Sequence, residues 1–251
     1  SYDPADFFQT GFNETNSVGL SAGTERNQTY ASASTTNATG ILPNNSYSRY
    51  NFSIRNTATF LKDRLTLDVG ASYIIQNDKN ITAQGQYFNP LPALYLFPRG
   101  DDFDNVRLYQ RWDESRNLYT QAWDYGSGDM SFQNPYWIMN KMINQTKKRR
   151  YMLSANLKYD VTDWLDVTGR VKVDNADMDI TEKRYAGTDT NFAGEKGMYS
   201  IIKRNDRQIY ADAIANIDLT FAGDYHLSAN VGASLKDVRM DFMGWGGDLR
   251  K

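Results

Sequence analysis

The stretch Tyr47–Gln76, YSRYNFSIRNTATFLKDRLTLDVGASYIIQ, decides the fold of this chain. On either side of a turn at Lys62-Asp63, apolar and polar residues alternate with a period of two. Because successive side chains of a strand point to opposite faces, the stretch predicts an antiparallel hairpin with one apolar and one polar face. The apolar run matches the roughly 9–11 residues that cross a bilayer as a tilted strand. Two architectures fit this hairpin: a soluble β-sandwich with a covered apolar face, and an outer-membrane barrel with that face in lipid.

The composition excludes several classes of function. Lys plus Arg number 28 against 30 Asp plus Glu, so no basic surface is available for nucleic acid. Cysteine is absent, which excludes disulfides, thiolate metal sites and a cysteine nucleophile. The sequence has no run of about 18 apolar residues, so it predicts no transmembrane helix. The 17 tyrosines and 5 tryptophans suit the interfacial girdles of a barrel, although a lectin would also use them.

The same alternation recurs along the chain and predicts about eight strands. The connections near residues 24, 62, 161 and 223 are tight, whereas those near 41, 77–148, 181–205 and after 240 are longer. Outer-membrane barrels place tight turns on one side and long loops on the other, and a sandwich has no reason to separate them. Charged residues such as Arg55, Asp68 and Arg170 occupy the polar parity, as in a wet barrel lumen. The pattern therefore favours an all-β, antiparallel transmembrane barrel segment.

The long connection 77–148 holds the candidate ligand residues. It is rich in aromatic side chains, which stack on sugar rings or hold peptide side chains. We predict ligand contact for Trp112, Trp123, Tyr109 and Tyr125, with packing within the loop or against a partner as the alternative. Trp137 is assigned to loop structure, and residues 130–143 are predicted to hold a short helix.

No catalytic set emerges from the sequence. A Ser-His-Asp set, a glycine-rich phosphate loop and a distinctive pair of carboxylates are all missing from the pattern. Asp101, Asp102 and Asp104 lack the spacing of an EF-hand, so a solvated acidic loop is the simpler interpretation. The sequence therefore predicts a protein that is not an enzyme and has no catalytic residues, metal or cofactor.

Three segments resemble the SusC/RagA-like TonB-dependent transporters. Phe7–Asn13, with the strand at 17–25, looks like the junction where the plug of that family passes into the barrel. Gly40–Asn44, running into Tyr47–Asn51, is similar to the first outer loop and the following strand. Asn134-Pro135-Tyr136-Trp137 resembles the Asn-Pro-Tyr-Trp loop motif of the family. The likeness extends along the whole chain.

The resemblance implies a barrel of about 22 strands, closed by a plug, in the outer membrane of Bacteroidetes-type bacteria. Such proteins import glycans or peptides with energy relayed by TonB, and a SusD-like surface lipoprotein forms a lid. We expect this chain to be a segment of such a protein, with residues 1–13 as the plug–barrel junction and 14–251 as a partial barrel. TonB would act through a plug outside the chain. A passive porin or secretion pore and a soluble carbohydrate-binding β-sandwich remain alternatives.

Overall fold

Eight long strands form one antiparallel sheet in the computed structural model, which describes residues 2–125 and 132–250. They are β1 (Phe12–Thr24), β2 (Asn27–Thr39), β3 (Ser46–Phe60), β4 (Leu65–Lys79), β7 (Met142–Asp160), β8 (Leu165–Tyr185), β9 (Gly197–Phe221) and β10 (Tyr225–Asp248). Each strand pairs with the next in this order. A separate hairpin consists of β5 (Gln110–Asp113) and β6 (Leu118–Gln121). The sheet is thus an up-and-down meander with the predicted number of strands.

The helical elements are short and lie outside the sheet. A 3-10 turn at Pro4–Phe7 precedes β1, α1 (Pro90–Tyr95) and α2 (Asp104–Arg107) follow β4, and α3 (Pro135–Lys141) leads directly into β7. The predicted short helix is therefore present as α3, while residues 130 and 131 of that prediction lie outside the described residues. No helix in the described part of the chain is long and apolar enough to span a membrane.

The strands run further than the apolar alternation predicted. β4 continues to Lys79 and β7 begins at Met142, so the first long connection spans 80–141 instead of 77–148. β8 and β9 likewise shorten the second connection to 186–196 from the predicted 181–205. Backbone pairing continues past the apolar residues because ladder hydrogen bonds need no apolar side chains. Tight turns lie at one end of the sheet and long connections at the other, as the spacing predicted.

One face of the sheet is apolar and uncovered. The register aligns one row of mainly apolar side chains across the strands: Leu20, Ala31, Ile54, Ala71, Leu153, Val173 and Ile209. In this row and the adjacent one, Leu153 is 48% exposed, Val171 46% and Val69 36%. The described residues contain no second sheet packed on this face. Within the described residues the sheet is a single layer, whereas a sandwich would cover these apolar residues with a second sheet.

Aromatic residues border this apolar belt at two heights. Phe52, Tyr73 and Tyr151 share one row, and Phe60 and Tyr159 share another. Tyr151 and Tyr159 are eight positions apart on β7, or about 26 Å along the strand. With a strand tilt of about 40°, this corresponds to about 20 Å across the sheet, close to the apolar band of about 25 Å in outer-membrane barrels. The two rows match the aromatic girdles expected at the two membrane interfaces.

The opposite face carries charged residues in cross-strand pairs. Nε of Arg170 donates to Oδ1 of Asp212 at 2.8 Å, and Nε of Arg55 donates to Oδ1 of Asp68 at 2.8 Å. A third pair joins Arg150 to Asp174 on β7 and β8. Because each of these arginines is paired with an aspartate, the pairs add little net charge to this face of the sheet. Such a face suits a water-filled lumen.

Candidate functional site

The long connections fold into a unit that we call the loop module: residues 2–11, 40–45, 80–125 and 132–141. Its core consists of buried side chains from all four segments: Phe7, Leu42, Leu94, Phe97, Phe103, Val106, Trp137, Ile138 and Met139, with Met142 of β7 added. This is the main hydrophobic cluster among the described residues, and it lies beyond the sheet. The module can therefore hold side chains in fixed positions at the long-connection end, as a binding surface requires.

Asn134 joins α2, the residue after β6 and α3 within the loop module. It is fully buried, and its Oδ1 accepts hydrogen bonds from the backbone N–H groups of Tyr136 at 2.9 Å and Trp137 at 3.4 Å. Its Nδ2 donates to the carbonyl oxygens of Val106 at 2.9 Å and Ala122 at 3.1 Å. Asn134 thus caps α3, whose first residue is Pro135. One side chain fixes α3 relative to α2 and to the segment after β6.

Trp137 connects the loop module to the second long connection. Its side chain is 1% exposed, and Nε1 donates to Oγ1 of Thr188 at 3.0 Å. Neighbouring Tyr136 packs edge-on against Phe7, with ring centroids 4.9 Å apart. Burial raises the pKa of the Tyr136 hydroxyl, and a hydrogen bond with Arg107 opposes that shift. The assignment of Trp137 to loop structure stays a prediction.

Two asparagines that the sequence analysis did not single out anchor the module to the sheet. Nδ2 of Asn80 donates to the carbonyl oxygens of Met139 at 2.9 Å and Asn44 at 3.0 Å, and its Oδ1 accepts from the N–H of Asn144 at 3.1 Å. Asn44 donates to the same carbonyl of Met139 at 2.8 Å. Both asparagines have positive φ, 57° for Asn44 and 53° for Asn80, a conformation that asparagine tolerates well. Asn80 directly follows β4, and Asn44 lies two residues before β3.

The four predicted ligand residues occupy two different environments. Trp112 is 50% exposed and packs edge-on against Tyr119 across the β5–β6 hairpin, with centroids 5.2 Å apart. Tyr109, Trp123 and Tyr125 are only partly buried and pack against the module core. Trp112 is therefore the most accessible of the four rings, and the other three contribute to packing.

Trp123 and Tyr125 form an aromatic cluster with Phe97. The Tyr125 and Phe97 centroids are 4.7 Å apart, and those of Trp123 and Tyr125 are 5.1 Å apart. Burial first, and then a hydrogen bond with Asp101, raises the pKa of the Tyr125 hydroxyl. Nε1 of Trp123 is buried and has no hydrogen-bond partner within the described ranges 2–125 and 132–250. Ligand contact by the four predicted residues stays a prediction.

A cavity of about 210 Å³ lies where the loop module covers the ends of β7 and β8. Its lining is mainly apolar and includes Phe88, Pro90, Ile138, Met139 and Met142. The charged residues Glu182, Lys183 and Arg184 line it from β8. The guanidinium of Arg184 lies over the ring of Phe88, 4.5 Å from the centroid, and so closes part of the wall.

Comparison with solved structures shows which known folds this sheet is similar to. No protein-family model matches the sequence, and no curated protein matches it. The RagAB peptide importer matches in its closed-closed state over 98% of this chain, with a TM-score of 0.70 and 15% identity, and in its open-open state over 97%, with a TM-score of 0.71 and 15% identity. The ferric-catecholate import receptor Fiu of E. coli K12, in its closed form, matches over 92%, with a TM-score of 0.50 and 8% identity.

These similarities concern the fold. The chain spans 27% of the RagAB chain in the closed-closed state, 26% in the open-open state and 30% of the Fiu chain. The prediction of an antiparallel β-barrel segment is confirmed at the level of the fold, and so is the resemblance in fold to the RagAB peptide importer. The assignment of residues 1–13 as a plug–barrel junction stays a prediction. In the structure, residues 2–11 lie at the long-connection end and belong to the loop module.

Proposed function

We propose that this chain is part of the barrel of a TonB-dependent importer for glycans or peptides, in the outer membrane of a Bacteroidetes-type bacterium. The observation that carries the proposal is the two-faced wall. One face of the sheet is an exposed apolar belt with aromatic borders, and the opposite face carries paired charges. The fold of the chain is similar to that of the RagAB peptide importer over 98% of this chain. Such a wall is stable only with lipid on one side and water on the other.

In this proposal the loop module is the part that meets ligand on the outer side. Its internal core and the Asn134 and Asn80 hydrogen bonds hold aromatic side chains at a fixed height above the sheet. Trp112 is best placed for ligand contact because half of its side chain is exposed. Tyr109, Trp123 and Tyr125 would contact ligand through their remaining accessible edges while supporting the module.

A SusD-like lipoprotein lid is proposed as the partner of the same end. Among the large hydrophobic side chains of the loop module, the most exposed are Tyr95 at 62%, Leu96 at 67% and Leu108 at 69%. Exposed apolar side chains on a folded unit favour contact with another protein. The sequence resemblance to a family that uses such a lid supports the same partner.

Uptake measurements in cells test the proposed function. The gene that contains this segment is deleted, and entry of fluorescently labelled peptides and glycans is followed in cells with and without TonB. We expect the full-length protein in the outer-membrane fraction, and uptake that requires both the gene and TonB. Uptake that persists without TonB would instead identify a passive pore. Recovery of the folded protein in the soluble fraction would refute the membrane assignment.

A further inference from the structure

Charged side chains border the apolar belt at the long-connection end of β7, β8 and β9. We call them the cationic patch: Lys147 and Arg149 on β7, Asp177 and Asp179 on β8, and Lys203 and Arg207 on β9. Lys147, Asp179 and Lys203 share one row of the register, which on this face is two rows beyond the aromatic row of Tyr151. All six positions have the parity of Leu153, so the patch continues the apolar face and not the lumenal one.

The charge of this face is asymmetric. On the neighbouring strands β3 and β4, the same two rows hold uncharged residues: Ser48, Tyr50, Ile75 and Asn77. At the tight-turn end, the outermost rows of the same face on β9 and β10 hold Leu219, Phe221 and Leu227. The patch is therefore a local feature of one end of the sheet and not a general property of its rim.

The patch lies at the depth of lipid headgroups. Lys147 is four positions from Tyr151 on β7, which is about 13 Å along the strand and, at a tilt of about 40°, about 10 Å across the membrane. Arg149 is half as far from Tyr151. The headgroup layer of a bilayer extends about 5–8 Å beyond the hydrocarbon on each side. With Tyr151 at the interface, Arg149 lies inside this layer, and the flexible stem of Lys147 reaches back into it.

The patch holds more cations than its carboxylates pair with. Asp179 pairs with Arg149 at 3.4 Å, and Asp177 accepts hydrogen bonds from the Nδ2 atoms of Asn205 at 2.6 Å and Asn175 at 3.3 Å. Within residues 2–125 and 132–250, three cations of the patch have no ion-pair partner: Lys147, Lys203 and Arg207. These three cations are therefore available to an anion from outside the chain.

Lys147 and Lys203 form the centre of the patch. Both are exposed, and β8 separates their strands by about 10 Å in total, a distance that two flexible lysine side chains can span to hold one phosphate. The next residue in their row is Met243 of β10, while Asp241 lies one row nearer the belt. Phosphate oxygens accept charge-assisted hydrogen bonds from lysine and arginine, which suits this arrangement.

We propose that the cationic patch binds a lipid with a phosphorylated headgroup in the outer leaflet. The inference rests on the proposed function, which places the apolar belt in the membrane and the long connections outside. The headgroup phosphate would lie between Lys147 and Lys203, with Arg207 donating to its oxygens from the level of Tyr151. A lipid fits better than a free anion because the patch is continuous with the belt, on which the acyl chains would lie.

Native mass spectrometry of the full-length protein in detergent tests the proposal. Dissociation constants are measured for dioleoyl phosphatidic acid, whose phosphate is exposed, and for dioleoyl phosphatidylcholine, whose choline offsets the phosphate charge. Lys147→Gln combined with Lys203→Gln removes two cations of the patch. Lys148→Gln combined with Lys172→Gln is the matched control, because it makes the same change at positions with the parity of the lumenal face. Inorganic phosphate is added as a competitor.

We expect phosphatidic acid to bind more tightly than phosphatidylcholine. Each lysine near a phosphate contributes about fivefold, so the patch variant should bind phosphatidic acid about thirtyfold more weakly, and the control should stay within about twofold of the wild type. If the double variant fails to fold, Lys203→Gln alone should weaken binding about fivefold.

Equal affinity of the patch variant and the control, or of the two lipids, would overturn the lipid site. Displacement of phosphatidic acid by millimolar inorganic phosphate would indicate a free-anion site and would overturn the assignment to a lipid. None of these results alters the uptake measured with and without TonB, so the lipid site and the proposed function fail separately.

Discussion

Replacement of Val171 by arginine tests the lipid contact of the apolar belt directly. Val171 pairs with Ala155, which lies four positions from Tyr151 and four from Tyr159, so Val171 is midway between the two aromatic rows. In an outer-membrane barrel, arginine at the bilayer midplane destabilises the protein by about 2–4 kcal/mol. If the same face met water, a substitution at a side chain that is 46% exposed would change stability by only about 0.5 kcal/mol.

Val238 provides a matched control on the other face. It pairs with Gln208, which pairs with Asp174 of the charged face, and its side chain is 58% exposed. Val238→Arg is the same chemical change at similar exposure, but its guanidinium would remain in the water-filled lumen. We expect it to change the free energy of unfolding by less than about 1 kcal/mol.

Guanidinium unfolding of the full-length protein in phosphatidylcholine vesicles gives the comparison. The midpoint and slope of the transition yield the free energy of unfolding for each variant. We expect Val171→Arg to lower the folding equilibrium constant about thirty-fold to several-hundred-fold, relative to a small change for Val238→Arg. Equal effects of the two variants, or a larger effect of Val238→Arg, would refute the assignment of lipid and water to the two faces.

Two further predictions concern the loop module. Asn134→Ala removes the cap of α3 and leaves two buried carbonyl groups without their donor. We expect a local destabilisation of about 2–4 kcal/mol, measured as faster amide exchange in α2 and α3. The control Asn105→Ala, at an exposed asparagine, should change the exchange little. The hydroxyl of Tyr2 donates to the carbonyl of Leu94. Burial, with like charges nearby, raises the pKa of Tyr2 to about 12. Because the folded state holds this proton more tightly, docking of the N-terminal segment should be intact below pH about 10 and weaken as the pH rises toward 12. Tyr125 and Tyr136 also have raised pKa values, so ultraviolet titration should show that Tyr2→Phe removes one tyrosine from a late-titrating group. An unchanged titration would contradict the docking.

The long connection shows why a stretch without periodicity can still be ordered. Short helices and a two-stranded hairpin are marginal by themselves, because each forms too few hydrogen bonds to offset its loss of conformational entropy. Here the helices share one core, and Tyr109 and Trp123, on either side of the hairpin, pack against it. The amide groups of Asn134 and Asn80 join these parts. A search for repeated apolar spacing cannot detect such a core, since its members are adjacent only in space.

The local sequence pattern by itself determined the two-faced sheet of this protein. A period of two, as in Tyr47–Gln76, sets which side chains share a face, and the tight turns near Lys62 and Gly223 set the strand order. Both follow from backbone geometry within a few residues, so the strand count and the two-faced character were predictable. The short helix predicted within 130–143 is α3, and Asn134 caps its start.

Tertiary structure alone decided the environment of each aromatic side chain. Nothing near Trp112 or Trp137 in the sequence shows that one is half exposed and the other is buried and bonded to Thr188, 51 positions away. It also decided that no second layer covers the apolar rows in the described part of the chain, which the alternating pattern left open. Alternation specifies which side chains point the same way, whereas burial depends on what the rest of the chain brings to that face, and that is a property of long-range packing.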